Sequence, residues 1–304
     1  MRILITGGTG LIGRQLCRVL LTEGHQLTVL SRRPATVATK CGVAVQAMSK
    51  LAEYSAELCF DAVINLAGEP IADQAWTDKR KKVLRDSRVA LTCELVERIA
   101  AAKSKPAVLL SASAIGFYAD RGDIAQDESA PAGHDFPSKL CVDWEAAALA
   151  AEKLGVRVCL LRSGLVLSRD GGLLERMVPP FKLGMGARIG NGRQWMSWIH
   201  IDDHVAMQLV LLHDEHASGP YNLTAPNPVT NAEFTAALAG VLHRSTRFAA
   251  PASLIKFSMG ERACLLLEGQ RIFPRRMKEG GYQFAFENLS QALKNILGES
   301  IFPL

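Results

Sequence analysis

The sequence has no closely spaced cysteine pair. Its seven cysteines, Cys17, Cys41, Cys59, Cys93, Cys141, Cys159 and Cys264, come no nearer to one another than 18 residues. That spacing excludes a Cys-x-x-Cys zinc or redox motif. The odd, scattered set predicts reduced thiols, many of them buried, in a cytosolic protein. No apolar run approaches the length of a membrane span, and no signal peptide precedes the strand pattern at residues 1–5, so a cytoplasmic location away from any membrane is expected. Internal repeats and low-complexity stretches are also missing. The positive charge is scattered and the net charge is only +5. This excludes a nucleic-acid footprint and leaves a modest preference for anionic ligands.

What remains is an ordinary folded composition, 48% hydrophobic and 21% charged over 304 residues. That length suits one large α/β domain, or a domain with a smaller lobe. Apolar runs alternate with helical patterns. Strands are expected at 3–6, 26–31, 43–48, 62–66, 108–113 and 156–162. Helices are expected at 11–22, 78–102 and 137–154. This alternation is the signature of a parallel sheet covered on both faces. Beyond about residue 165 the regularity breaks at Pro179, Pro180 and the glycines of 184–192. A strand is expected to enter a helix through "WMSWIHIDD" (195–203), with Asp202 or Asp203 as N-cap. Thr230 and Glu233 form a capping-box pattern for a helix over 230–242.

The stretch "TGGTGLIG" (6–13) places Gly7, Gly10 and Gly13 between a strand and a helix. Glycines let a backbone turn sharply and approach a pyrophosphate, and the helix N-terminus offers it free N–H groups. Gly7, Thr9, Gly10, Leu11, Ile12 and Gly13 are therefore candidate diphosphate contacts. Enzymes that use NAD usually carry an acid at the end of the second strand, for the ribose 2′-hydroxyl. Here that end reads "VLSRRP", with Ser31, Arg32 and Arg33. An arginine can pair bidentately with a 2′-phosphate that an acid would repel. NADP(H) is the expected cofactor, with Ser31 and Arg32 as its contacts; Arg33, just before Pro34, suits a solvated strand end better.

These residues, with "NLAGEPI" (65–71), "LLSASAIGFYAD" (109–120) and "WIHIDD" (198–203), resemble the extended short-chain dehydrogenase/reductase superfamily. More narrowly, "GRQWMSWIHIDD", "NPVTNAEF" and "LEGQRIFPRR" make the chain similar to the bacterial epimerase family proteins of YfcH type, an atypical branch. The resemblance covers nearly the whole chain. It implies an α/β architecture: a Rossmann-type, doubly wound parallel sheet with a small C-terminal α+β lobe. The NADP-binding domain would cover 1–165, with returning segments near 195–225, and the substrate-side lobe 166–304. It also implies that Leu66, Ala67 and Gly68 line the path from adenosine to nicotinamide. Arg88 would face the cofactor, unless it is an exposed helix arginine. Arg162 would follow the strand beside the nicotinamide. Similar proteins are commonly homodimers, so a homodimer is one expectation.

Active members of that superfamily use Ser, Tyr and Lys, with Tyr-x-x-x-Lys on one helix. Ser113 fits the serine and Lys139 the lysine, which would also hold the nicotinamide ribose. Four residues before Lys139, however, stands Asp135. A carboxylate near a lysine is ionised at neutral pH and cannot donate a proton. Losing a matched general acid costs about 10²–10⁴ in rate. Three explanations stay open: Tyr118 supplies the phenol, another acid or the substrate does, or the protein binds cofactor without efficient turnover. If Tyr118 points at the nicotinamide, an oxidoreductase or epimerase acting on a small anionic molecule gains. If it is packed away, an NADPH-binding sensor or partner protein gains.

Other features carry less. His200 and His204 in "HIDDH" have metal-like spacing, but a strand end and a helix start need not converge, so no metal is expected. The loop 182–195, with Lys182, Arg188 and Arg193, is either an anion-reading substrate loop or a plain hairpin. Trp195 and Trp198 alternate with Met196 and Ser197 as in a half-buried strand, so core packing is expected for both. Arg271, Arg275 and Arg276 are expected on solvated surface.

Overall fold

The computed structural model describes residues 1–246 and 248–298. Strands β1 (Arg2–Thr6), β2 (Gln26–Leu30), β3 (Gln46–Met48), β4 (Ala62–Asn65), β5 (Val108–Ala114), β6 (Arg157–Ser163) and, after a short β7 (Leu165–Ser168) and β8 (Trp198–His200), β9 (Gly219–Leu223) are the main elements of the sheet layer. All but β7 and β8 form one seven-stranded sheet in the order β9-β6-β5-β4-β1-β2-β3. Every pairing within it is parallel. It is a Rossmann-type sheet. The strand order reverses between β1 and β4, and such a switch point opens a crevice at the carboxyl ends of the strands.

Both faces of the sheet are covered. Ile3 and Ile5 join one core with Leu16 and Leu20 of α1 (Leu11–Thr22), and with residues of a later helix over 201–213. Leu4, between them, turns to a second core with Leu95 and Ile99 of a helix over 91–101. Strand side chains alternate between faces, so a strand buried on both sides must be apolar throughout. A third core, around Trp198, Phe234 and Leu293, packs the C-terminal lobe together.

The helix expected over 78–102 is broken. It runs as α2 (Asp78–Arg85), a π-helical turn over Asp86–Ala90, and α3 (Leu91–Ala101). Such wide turns cluster at functional sites. The next helix, α4 (Phe136–Leu149), starts at the N-cap Asp135, whose Oδ1 accepts the Ser138 N–H at 2.8 Å. Further on come α5 (Leu173–Lys182), α6 (Ile201–His213) and α7 (Asn231–Val241), the last with the full Thr230–Glu233 capping box. The N-cap of α6 is His200, not Asp202 or Asp203: the His200 ring nitrogen Nδ1 accepts the Asp202 N–H. Asp203 is buried instead, and accepts from Tyr282 Oη and from the amides of Ala285 and Phe286. It ties the C-terminal segment to α6.

Candidate functional site

The glycine loop lies at the carboxyl end of β1. Gly7 has φ +69°, a left-handed backbone, and a Cβ there would lie 2.5 Å from the Leu66 carbonyl oxygen. A Cβ on Gly13 would lie 2.5 Å from the Gly7 oxygen. Each glycine is therefore required, for its φ or for close approach. Gly10 is the N-cap of α1 and offers no side-chain cap. The first turn of α1, from Leu11 through Gly13, thus presents amides with no competing side-chain acceptor to the crevice. A helix start of that kind can hold an anion. Buried hydrogen bonds fix the strand ends around it. Thr6 Oγ1 donates to Asn65 Oδ1 at 2.6 Å, Asn65 Nδ2 donates to Thr92 Oγ1 at 2.8 Å, and the Ala67 amide donates to Thr6 Oγ1 at 3.2 Å.

Beside this loop, Arg32 follows β2 and Glu69 follows Leu66, Ala67 and Gly68 after β4. Their side chains meet, with Arg32 Nη1 2.5 Å from Glu69 Oε1. Arg32 is 88% exposed and Glu69 only 19%. The Ser31 hydroxyl is turned back to accept the Arg33 amide at 3.1 Å. Gly68 packs on Arg88, whose Cζ would lie 3.0 Å from a Cβ at 68. Arg88 sits on the π turn. It donates to the carbonyls of Glu69 (2.9 Å) and Leu84 (3.3 Å) and stacks on the Trp144 ring. It is no exposed helix arginine. Among the described residues no carboxylate pairs with it, and burial pulls its pKa down.

The expected Ser/Tyr/Lys group is not assembled. Ser113 is buried and its Oγ donates to Glu145 Oε1 at 2.6 Å. Arg162 closes on the same carboxylate through Nε and Nη2, both at 2.8 Å. Tyr118 is 0% exposed. Its hydroxyl donates to Asn222 Oδ1 at 2.7 Å and accepts from Arg162 Nη1 at 2.8 Å. Burial, partly offset by the Arg162 charge, pushes its pKa up to about 12. Tyr118 is thus packed away, with its proton committed to Asn222. Lys139 is exposed on α4. Asp135 is the N-cap of α4: its carbonyl accepts the Lys139 amide at 3.0 Å, while its side chain is committed to the Ser138 amide.

The sequence pattern of the NAD dependent epimerase/dehydratase family matches residues 3–224, and that of a domain of unknown function, DUF1731, matches 250–296. The chain belongs to the epimerase family. A chloroplastic SDR39U1 homolog of Arabidopsis thaliana is 38% identical over 98% of this chain and 87% of its own length. Epimerase family protein SDR39U1 of Mus musculus is 38% identical over 98% of this chain and all of its own. The human SDR39U1 structure, solved with NADPH, superposes with a TM-score of 0.88 at 36% identity, covering 97% of this chain and 99% of that one.

Within this epimerase family chain, sequence reasoning missed two acids. Glu145 is the buried partner of Ser113 and Arg162; its only signal is an acid beside "AAAL" on a helix. Glu69 lies in the quoted "NLAGEPI" stretch but meets Arg32 only in space. Other expectations need correction. Arg271 lies over the Trp195 ring at 4.5 Å and donates to the Asp123 carbonyl. Arg276 donates to the carbonyls of Ser218 and Pro220. Both fasten the C-terminal lobe rather than lying in solvent, while Arg275 is exposed, as expected. Trp198 is core, but Trp195 is half-buried and donates to Asp123. His200 and His204 do not converge on a shared ligand. His200 stacks on Phe286, and His204 shares a hydrogen bond with Ser163 Oγ at 2.8 Å. Among the described residues one trio of metal-type ligands, Glu23, His25 and His213, lies together. It stands at the amino end of β2, opposite the glycine loop. No described helix is long and apolar enough to cross a membrane.

Proposed function

We propose that this protein binds NADP(H) and does not run a Ser/Tyr/Lys proton relay, so that it acts as an NADPH-binding sensor or partner protein with little turnover. Gly7, Thr9, Gly10, Leu11, Ile12 and Gly13 would hold the diphosphate, and Arg32 with Ser31 the adenosine phosphate. Leu66, Ala67 and Gly68 would line the route to the nicotinamide, and Arg88 would face it. The cradle fits such a group: Gly7 and Gly13 leave room that any Cβ would fill, and α1 starts without a side-chain cap. The human relative solved with NADPH supports the choice of dinucleotide. The observation that carries the reading is Tyr118. A fully buried phenol held by Asn222 and Arg162 supports binding without the usual chemistry.

A second reading, an oxidoreductase or epimerase acting on a small anionic substrate, is favoured by the uncompensated charge of Arg88 and the exposed Lys139. When bound, the dinucleotide would supply hydride chemistry, and a proton would have to come from the substrate or from another residue. Fluorescence titration of the purified protein with NADPH tests the shared step, and no affinity for it would end both readings. Oxidation of bound NADPH on adding a metabolite pool would favour the second reading. Stable fluorescence would favour the first. The domain division (1–165 with returning segments, 166–304), the cytoplasmic location and the homodimer belong to the same proposal.

A further inference from the structure

The end of β2 lacks the acid that reads a ribose hydroxyl, yet the fold supplies one from the neighbouring loop. Glu69 follows β4, and β4 and β2 flank β1 on either side. The Arg32–Glu69 pair therefore bridges the two loops that border the glycine loop. The two partners are not equal. Arg32 is a long, exposed side chain at a strand end. Glu69 is pinned at three points: its amide donates to Ser87 Oγ at 3.1 Å, its carbonyl accepts from Arg88 Nη2 at 2.9 Å, and its Oε2 lies 3.5 Å from buried Arg80 Nη1. Ser87 and Arg88 both sit on the π turn. That irregular turn fixes the acid, and the acid fixes Arg32.

We propose that Glu69 sets the coenzyme preference of this groove, by competing with the adenosine 2′-phosphate for Arg32. This rests on the NADP(H)-binding reading and names the residue that tempers it. A 2′-phosphate must draw Arg32 from a carboxylate that already holds it, and it then lies near that carboxylate. An exposed ion pair is worth about 0.2–1 kcal/mol, equivalent to roughly 1.4- to 5-fold in affinity. Repulsion between carboxylate and phosphate adds to this. NADH bears no such phosphate. Its 2′-hydroxyl can donate to a carboxylate, so Glu69 does not oppose NADH.

The test is a double-mutant cycle on the full chain, with NADPH and NADH as fluorescent probes. Glu69→Gln should tighten NADPH about three- to tenfold and leave NADH within about twofold. The gain should shrink when Arg32→Ala is already present, because only the direct carboxylate–phosphate repulsion is then left to remove. Glu69→Ser, which also removes the charge, should act in the same direction and covers the case in which the glutamine variant misfolds. An unchanged NADPH/NADH ratio, or weaker NADPH binding, overturns the proposal. So does a gain that persists undiminished without Arg32. If the unmutated protein binds neither dinucleotide, the NADP(H)-binding reading falls first and takes this inference with it.

Discussion

Replacing Glu145 by glutamine should destabilise the protein more than any surface change, and the structure says by how much. The carboxylate is buried and takes three charge-assisted or short hydrogen bonds: two from Arg162 and one from Ser113. Arg162 has a 5% exposed side chain. Its other partners are the Tyr118 hydroxyl and the Glu128 carbonyl, both neutral. A glutamine keeps one acceptor but turns an NH₂ donor toward the guanidinium, where only acceptors are satisfied. The guanidinium is then a buried cation without a counter-charge. Removing one partner of such a pair costs about 3–5 kcal/mol, because the remaining charge is stranded. For a chain of 304 residues that lowers Tm by roughly 5–8 °C. The assay is thermal unfolding followed by circular dichroism, with exposed Glu152→Gln as a control expected within about 0.5 kcal/mol of the parent. Arg162→Met and the double variant complete a cycle. The double loss should fall well short of the sum of the single losses, since the two residues share one interaction. A fall in Tm below about 2 °C for Glu145→Gln would refute the account of Arg162 as a stranded charge.

Other outcomes follow from the same structure. Arg32→Ala should weaken NADPH about 10- to 100-fold and leave NADH nearly unchanged, the loss of charge-assisted bonds to a phosphate being worth about 1.5–3 kcal/mol; equal losses for both dinucleotides would contradict it. Gly13→Ala drives a Cβ to 2.5 Å from the Gly7 oxygen and the Gly8 Cα. Backbone must move there, so titration should show dinucleotide binding lost, and retained binding would undo the role given to the loop. Asp135→Tyr, which restores the letters of Tyr-x-x-x-Lys, should cost about 0.5–2 kcal/mol as a lost N-cap and yield no NADPH oxidation. His204, whose pKa burial lowers from 6.5 to about 3, gives a pH test. The unfolded chain binds the extra proton between those two values, so its contribution is full above about pH 6.5 and lost as pH falls toward 3. The slope approaches about 1.4 kcal/mol per pH unit within that window. Urea titrations at pH 7 and 5 should show a smaller loss in His204→Gln than in the parent, and equal losses would sink the assignment.

The cofactor half of this fold was legible because its signals are local. A glycine's left-handed φ, a helix start and a strand of continuous apolar residues are each written within about ten positions. The Thr230–Glu233 box is the same kind of signal, and it forms as the spacing says. The substrate half was not legible in that way. Glu145 meets Ser113 across 32 residues, and Tyr118 meets Asn222 across 104. Nothing near Tyr118 in sequence tells that its hydroxyl is spent. The break of the 78–102 helix was hidden for a different reason. A π turn inserts one residue without a proline or a glycine to mark it, and "DSRVA" reads as uninterrupted helix. Of the three C-terminal arginines, Arg275 is exposed, as composition suggests, and the other two are not. Arg271 and Arg276 instead lie over aromatic rings and donate to carbonyls, as guanidinium readily does.

Asp135 shows why a motif must be judged by its frame. Tyr-x-x-x-Lys works because two residues four apart share one face of a helix. Here the helix begins at Phe136, with Pro137 in its first turn, so position 135 is its N-cap: the backbone there is extended, and its carbonyl accepts the Lys139 amide. A tyrosine placed there would stand at the cap, with extended φ and ψ, and the chain would lose the oxygen that caps Ser138. The aspartate is therefore more than a defective acid in an otherwise intact relay. It is the cap of a helix start. The serine that would have partnered the relay now serves a buried ion pair, and the phenol that could have replaced it is locked two contacts away. Recovering a relay would require giving up the Asp135 cap and freeing Ser113 from Glu145 together, and no single substitution does both.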